Sequence, residues 1–361
     1  MKLERYAMSL VLLTVSALTL SACAANEMRQ GPQRASALSG TLNGIGSSAQ
    51  GPAQTTWIAG FQTAHAKVTI NYDPQGSGAG RKSFLGGSAD FAGSDAALSD
   101  TELASGSKTC APGTGPIDLP NYISPIAIAY NVDGLKDLRL DAKTIAEIFT
   151  GALTSWNDPA LARLNPGAQL PDAAIHVVHR SDDSGTTQNF SEYLKAAAPE
   201  VWDAAVSQTY PYQIGDAAKG TSGVADAVKN AKNTITYIDD SGASGLGKAQ
   251  LKVGDEFVRI SAEGAAEVVA ASPTAAGRAE NDLAIAIDRT TTAKNAWPLV
   301  LVSYFITCVQ YQDPAKGVLA KAYAGYITGD KAQQDAATSA GSAPLSPALR
   351  AKVAAAVATI K

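Results

Sequence analysis

The amino-acid sequence predicts an α/β protein of two domains with largely parallel sheets. Short β-branched or apolar runs alternate with segments of helical spacing from Leu42 to the last helix. Several of the strand-to-helix turns are rich in glycine and hydroxyls rather than in charge. A chain of 361 residues, 45% hydrophobic, is long enough for two domain-sized cores. No internal repeat of fixed period is present.

The first element is a leader. Lys2 and Arg5 precede an apolar run from Met8 to Leu20, and Leu20-Ser21-Ala22-Cys23 follows, which predicts a signal peptide over residues 1–22. The run is too short to span a bilayer comfortably. Cys23 directly after Leu-Ser-Ala resembles the lipobox of bacterial lipoproteins, with Cys23 as the lipidated new N-terminus. Residues 23–39 are mostly polar and read as a flexible tether. Losing Lys2, Arg5 and Glu4 with the leader takes the formal charge from −4 to −5. Such a field draws neither nucleic acid nor an anionic membrane. Any anion site must therefore be local, built from oriented amides and few cations. With Cys23 assigned to lipid, Cys110 and Cys308 remain as an even pair in an oxidising compartment and are available for a disulfide. No cysteine and histidine cluster has metal-ligand spacing, and no cofactor motif is visible.

Leu42 to Ala49 is a glycine and hydroxyl turn leading into a segment with Trp57, Phe61 and Ala64 on one helical face. Lys67 to Tyr72 alternates as a strand, and Gly76-Ser77-Gly78-Ala79-Gly80 makes a similar turn before Phe84 and Leu85. Asp90 to Asp95 is a short buried strand ending at a carboxylate. The capping-box spacing of Ser99 and Glu102 starts a helix just beyond it. Cys110 to Pro120, rich in proline and glycine, reads as loop, and Tyr122 to Tyr130 as an apolar strand. Asp141 to Phe149 is a capped helix closed by Gly151. Thr234 to Ile238 is a strand, and Asp240 to Gly247 a flexible connection. Trp297 to Ile306, interrupted by Ser303, is a buried strand or connector between domains. Ser346-Pro347 caps the last helix.

The most informative stretch is Arg180-Ser181-Asp182-Asp183-Ser184-Gly185-Thr186-Thr187. It lies between the β-branched run Ile175 to His179 and a helical segment that stops before Pro199. The first amides of a helix have no intrahelical partners and sit at the positive end of the peptide dipoles. Such a turn invites an anion. Ser184, Thr186 and Thr187 add hydroxyls, Gly185 allows close approach, and Arg180 adds a fork of donors that Asp182 is placed to hold.

Four ordered motifs, Gly44-Ile45-Gly46-Ser47-Ser48, Gly76-Ser77-Gly78, Asp90 to Asp95, and Arg180 to Thr186, resemble those of the periplasmic phosphate-binding protein family, the substrate-binding subunits of bacterial ABC phosphate importers. Lys143-Thr144-Ile145, Trp156-Asn157-Asp158, Leu164 to Gly167 and Ala296-Trp297-Pro298 fall in the same order. The resemblance implies a type II periplasmic-binding-protein clamp. Two domains, 40–122 plus 299–361 and 123–298, would enclose a ligand cleft, with chain crossovers near Asn121 to Pro125 and Trp297 to Leu301. It implies phosphate contacts from Ser48 (hydroxyl and amide), Ala49 (amide, where the family often has an aromatic), Ser77, Asp95, Arg180, Ser184, Gly185 and Thr186. A membrane permease and an ATPase would be the partners of a lipid-anchored, extracytoplasmic monomer without enzymatic activity. The stretch carrying Cys110 has no counterpart in the family.

Several neutral donors with one arginine and one carboxylate suit a protonated anion. A carboxylate beside an anion repels it unless it accepts the anion's proton. Phosphate carries one near neutral pH and sulfate does not, so Asp95 favours phosphate over sulfate or molybdate, while a phosphate ester stays open. A serine hydrolase using Ser184, His179 and Asp182 or Asp183 is the rival of another class. Strand alternation puts His179 and Arg180 on opposite faces, against a contact between His179 and Ser184.

Overall fold

The structure, a computed structural model, describes residues 38–361, so the leader and Cys23 lie outside the described residues. In chain order the strands are β1 (Gly40–Gly46), β2 (Val68–Asp73), β3 (Phe91–Ser94), β4 (Pro116–Asn131), β5 (Arg139–Leu140), β6 (His176–Arg180), β7 (Asp216–Ala218), β8 (Thr234–Asp239), β9 (Gly247–Lys248), β10 (Gln250–Val253), β11 (Glu256–Val258) and β12 (Val300–Cys308). The α-helices are α1 (Gly51–Ala64), α2 (Ser77–Gly86), α3 (Asp100–Ser105), α4 (Ala142–Thr150), α5 (Pro159–Leu164), α6 (Gly185–Ala197), α7 (Gly220–Asn230), α8 (Ala262–Ala271), α9 (Pro314–Ile327), α10 (Asp330–Ala340) and α11 (Pro347–Ala358).

The main sheet has the order β2-β1-β3-β12-β4-β8-β6-β7, with β9 also on β4. Its flanks are parallel: β1 runs with β2 and β3, and β6 with β7 and β8. Its centre is not. β12 is antiparallel to both β3 and β4, and β4 is antiparallel to β8. The expectation of largely parallel sheets is thus corrected to parallel flanks joined by an antiparallel centre. The cause is the path of the chain, which passes from one half to the other in β4 and returns in β12, so the two crossing strands run in opposite directions.

β4 is the spine. Its Pro116 to Pro125 portion pairs with β12 and its Ile126 to Asn131 portion with β8. Fifteen of its 16 residues, all but Asn131, are buried, which removes the polar and apolar alternation of a one-sided strand. The strand begins at Pro116, so the reading of Cys110 to Pro120 as loop is corrected over its last five residues. Pro116 and Pro120 are both paired with β12 in register. Asp240 to Gly247 is likewise more ordered than a flexible connection: Asp240–Ala243 form a 3₁₀ turn capped by the Asp239 side chain.

Each half has an aromatic core. Phe91 stacks on Phe305 at 4.7 Å in one, and Phe190 on Tyr237 at 4.2 Å in the other. A disulfide joins Cys110 to Cys308 at the end of β12. Among the described residues no helix is long and apolar enough to cross a membrane.

Candidate anion-binding site

The glycine turns converge. α6 starts at Gly185 after the N-cap Ser184, whose Oγ accepts from the Thr187 amide at 3.3 Å. A side chain at Gly185 would put its Cβ 2.6 Å from Ser77 Oγ and 2.7 Å from Asp95 Cβ. The start of α6 therefore meets the start of α2 and the end of β3, and only glycine leaves room there. Nearby, the Gly78 amide donates to Asp183 O at 3.0 Å, and Lys82 pairs with Asp183 at 2.8 Å.

Asp95 is buried, with 3% of its surface exposed. Ser303 donates to its Oδ1, Ser77 Oγ lies 3.4 Å from its Oδ2, and the Asp95 amide donates to Ser77 Oγ at 3.1 Å. Burial pushes the carboxyl up, while the hydroxyls of Ser303, Ser47 and Ser77 and the charge of Arg180 pull it partly back.

Arg180 is 5% exposed and ends β6. Its Nε and Nη2 donate to Asp182 at 2.7 and 2.5 Å, and the Gly220 amide at the start of α7 donates to Asp182 Oδ1 at 3.0 Å. Burial alone would push the Asp182 carboxyl up, but the Arg180 hydrogen bonds and charge and the Gly220 amide hold it below its ordinary value. Among the described residues the buried Thr186 Oγ1 has no hydrogen-bond partner. A buried hydroxyl in that state is costly, and a ligand atom would satisfy it.

The first turn is arranged differently from the rest. Ser47 Oγ caps it, accepting from the Ala49 amide at 3.1 Å and the Gln50 amide at 3.3 Å. Ser48 Oγ reaches α7, 3.0 Å from Thr221 Oγ1 and accepting from the Thr221 amide at 3.1 Å. The structure thus gathers Ser77, Asp95, Gly185 and Arg180 with its partner, and turns the Ala49 amide and Ser48 hydroxyl to protein partners. Asp95 lines one cavity of about 560 Å³, and Ser48 another of about 660 Å³.

Ser303 and Thr221 escaped the sequence reading. The signal for Ser303 was its interruption of an apolar run, and for Thr221 a further glycine and hydroxyl pair opening a helix. His179 stacks on Tyr210 at 4.0 Å with Nδ1 against Arg180 O at 3.0 Å, while Ser184 Oγ serves the helix cap. That geometry gives the serine no histidine base. Among the described residues no group of histidine, cysteine and carboxylates could hold a metal ion.

A fold of two linked halves that meet at Asp95 and the start of α6 is that of a class of binding protein, and the comparisons agree. The family model described as a PBP superfamily domain matches residues 31–331. Phosphate-binding protein PstS 3 of Mycobacterium leprae is 38% identical over 340 residues, covering 90% of each chain. Phosphate-binding protein PstS 2 of Mycobacterium tuberculosis is 33% identical over 371 residues, covering 99% of each. The chain belongs to the periplasmic phosphate-binding protein family. In fold it is similar to a phosphate-binding protein from Stenotrophomonas maltophilia (TM-score 0.68, 21% identity, 88% of this chain and 94% of that one). It is also similar to a periplasmic phosphate-binding protein solved with phosphate (TM-score 0.71, 22% identity, 88% and 93%). Its fold is the two-domain, type II periplasmic-binding fold.

Proposed function

We propose that this chain is an extracytoplasmic receptor that captures inorganic phosphate between its two halves and delivers it to the permease and ATPase of an ABC importer, acting as a monomer and without turnover. The observation that carries this reading is Asp95: a buried carboxyl, raised by burial and set against the start of α6. A site for a fully deprotonated anion gains nothing from such a group. A site for phosphate can pair it with the ligand's proton.

The contacts proposed are Ser77, Asp95 and Arg180 with Ser184, Gly185 and Thr186 at the start of α6, and Ser48 and Ala49 of the first turn. In the last two, phosphate would replace the bonds to Thr221 and Ser47. The proposed domains are 40–122 plus 299–361 and 123–298. Arg278 and Leu283, within the second range, bond to Leu98 and Asp118 in the first, so that boundary is interwoven.

Calorimetric titration with phosphate, sulfate and a phosphomonoester tests the reading. Phosphate is expected to bind one per chain, with sulfate and the ester far weaker. Equal affinity for sulfate or the ester would overturn it. The lipid anchor at Cys23 is tested separately: Cys23→Ala should release the protein from membranes, since anchoring needs acyl chains on that thiol. A variant that stayed membrane-bound would remove the anchor from the reading.

A further inference from the structure

One side chain outside the glycine turns joins the two halves of the site. Asn189, 3% exposed in the second turn of α6, donates from Nδ2 to the Asp95 carbonyl at 2.6 Å and to the Gly185 carbonyl at 2.9 Å. Its Oδ1 accepts from Nη2 of Arg289. A guanidinium can only donate and a carbonyl can only accept, so these partners fix which way the amide faces.

Arg289 is 6% exposed and belongs to the long connection between α8 and β12. Besides Asn189 it holds Glu192 at 2.9 Å, and its Nη1 donates to the carbonyls of Pro298 at 3.2 Å and Val300 at 2.5 Å. Val300 pairs with Pro125 where the chain passes between the halves. A line of buried hydrogen bonds, charge-assisted where Arg289 donates, therefore runs from the crossing strands through Arg289 and Asn189 to the backbone of Asp95.

We propose that Asn189, oriented by Arg289, is a positioning residue of the phosphate site. It fastens α6, which carries Ser184, Gly185 and Thr186, to the Asp95 backbone on the opposite half. The inference rests on the phosphate reading above. A bond between halves exists only when they are together, so it stabilises the closed, loaded state and not the first encounter. Its loss shows in the rate of release rather than in the rate of capture.

Stopped-flow binding of inorganic phosphate to the wild type, Asn189→Leu and Arg289→Lys tests this. Leucine matches asparagine in size and cannot donate; lysine keeps a charge beside Glu192 without the fork. Asn189→Leu is expected to raise koff about tenfold with kon within about twofold, as for loss of a buried hydrogen bond. Arg289→Lys is expected to move koff the same way by less. A purely structural role would instead lower the unliganded melting temperature and leave koff at the wild-type value, and that result overturns the proposal. Should Asn189→Leu fail to fold, a wild-type koff in Arg289→Lys overturns it by itself. If the wild type does not bind phosphate at all, the underlying reading falls and this inference with it, a failure visible without any variant.

Discussion

Asp182 grips Arg180 with both carboxylate oxygens, from Nε at 2.7 Å and Nη2 at 2.5 Å, and so leaves Nη1 outside the pair. The pair is nearly buried, with side chains 4% and 11% exposed, and a third bond from Gly220 fixes its far side. The guanidinium is thereby aimed, not merely present. Arg180→Ala is expected to weaken phosphate binding by roughly thirty- to several-thousand-fold, about 2 to 5 kcal/mol, as for other desolvated charged contacts. Arg180→Lys should recover only part of this, because an ammonium cannot fill the fork. Calorimetry reads both, and a loss under threefold in the alanine variant would place Arg180 outside the site.

Asp95→Asn keeps the size of the side chain and can donate where the carboxylate can only accept. It should relax discrimination and spare much of the phosphate affinity. Sites that pair a buried group with a ligand proton can reject the analogue lacking it by about four or five orders of magnitude. Because burial raises the Asp95 carboxyl, lowering the pH of the wild type protonates it and lets it donate to sulfate. The phosphate-to-sulfate ratio should therefore narrow as pH falls, and the asparagine variant should show little of that trend. Competition titrations across pH decide it; a ratio indifferent to both mutation and pH would leave Asp95 a structural residue.

Gly185→Ala tests how closely the two halves must approach. The added Cβ would strike Ser77 and Asp95, which belong to the opposite half, while the helix start itself tolerates alanine. Unliganded stability should fall by about 1 to 3 kcal/mol, the range for forcing extra atoms into a packed site. Phosphate binding should fall more than tenfold, since each site hydrogen bond that cannot form is worth about 1 kcal/mol or more. Denaturant unfolding together with calorimetry checks both; a variant that binds like wild type would show that the halves need not approach so closely.

Asp239 gives a pH signature in stability. Burial pushes its carboxyl up to about 7 from the ordinary 3.8, with the charge of Asp95 adding to the rise and Ser241 and Ser124 opposing it. An acid raised on folding holds its proton in the native state over a range where the unfolded chain has lost it. Its contribution is full below about pH 4 and is lost as pH rises through about 7. The wild type should thus lose stability across that window relative to Asp239→Asn. Melting curves of the two proteins from pH 4 to 8 compare the slopes, and equal slopes would contradict the assignment.

The sequence made some of this legible and hid the rest for identifiable reasons. The start of α6 could be read because a β-branched run, a capping serine and Pro199 bracket it, and the Ser99 capping box and Asp141 cap are local signals of the same kind. Strand direction at the centre could not be read. β4 and β12 are buried on both faces, so neither carries an alternation that reports its neighbours, and the prolines at 116 and 120 disguised the start of β4. Long-range partners were also out of reach. Asn189 and Arg289 stand 100 positions apart, and Asp95 and Ser303 stand 208 apart. Ser303 looked like an interruption of an apolar strand until the fold set Asp95 against it.

That last pairing has a consequence for how the two halves divide the work. Ser303, Ser77 and Asp95 all lie on the half built from β1, β2, β3 and β12, and the register shift between Ser303 and Tyr304 falls beside them. The side chains proposed to meet a ligand's proton are therefore carried by one half of the chain. On the phosphate reading, an anion of the wrong protonation would meet repulsion from this half by itself, and the other half would add grip rather than choice.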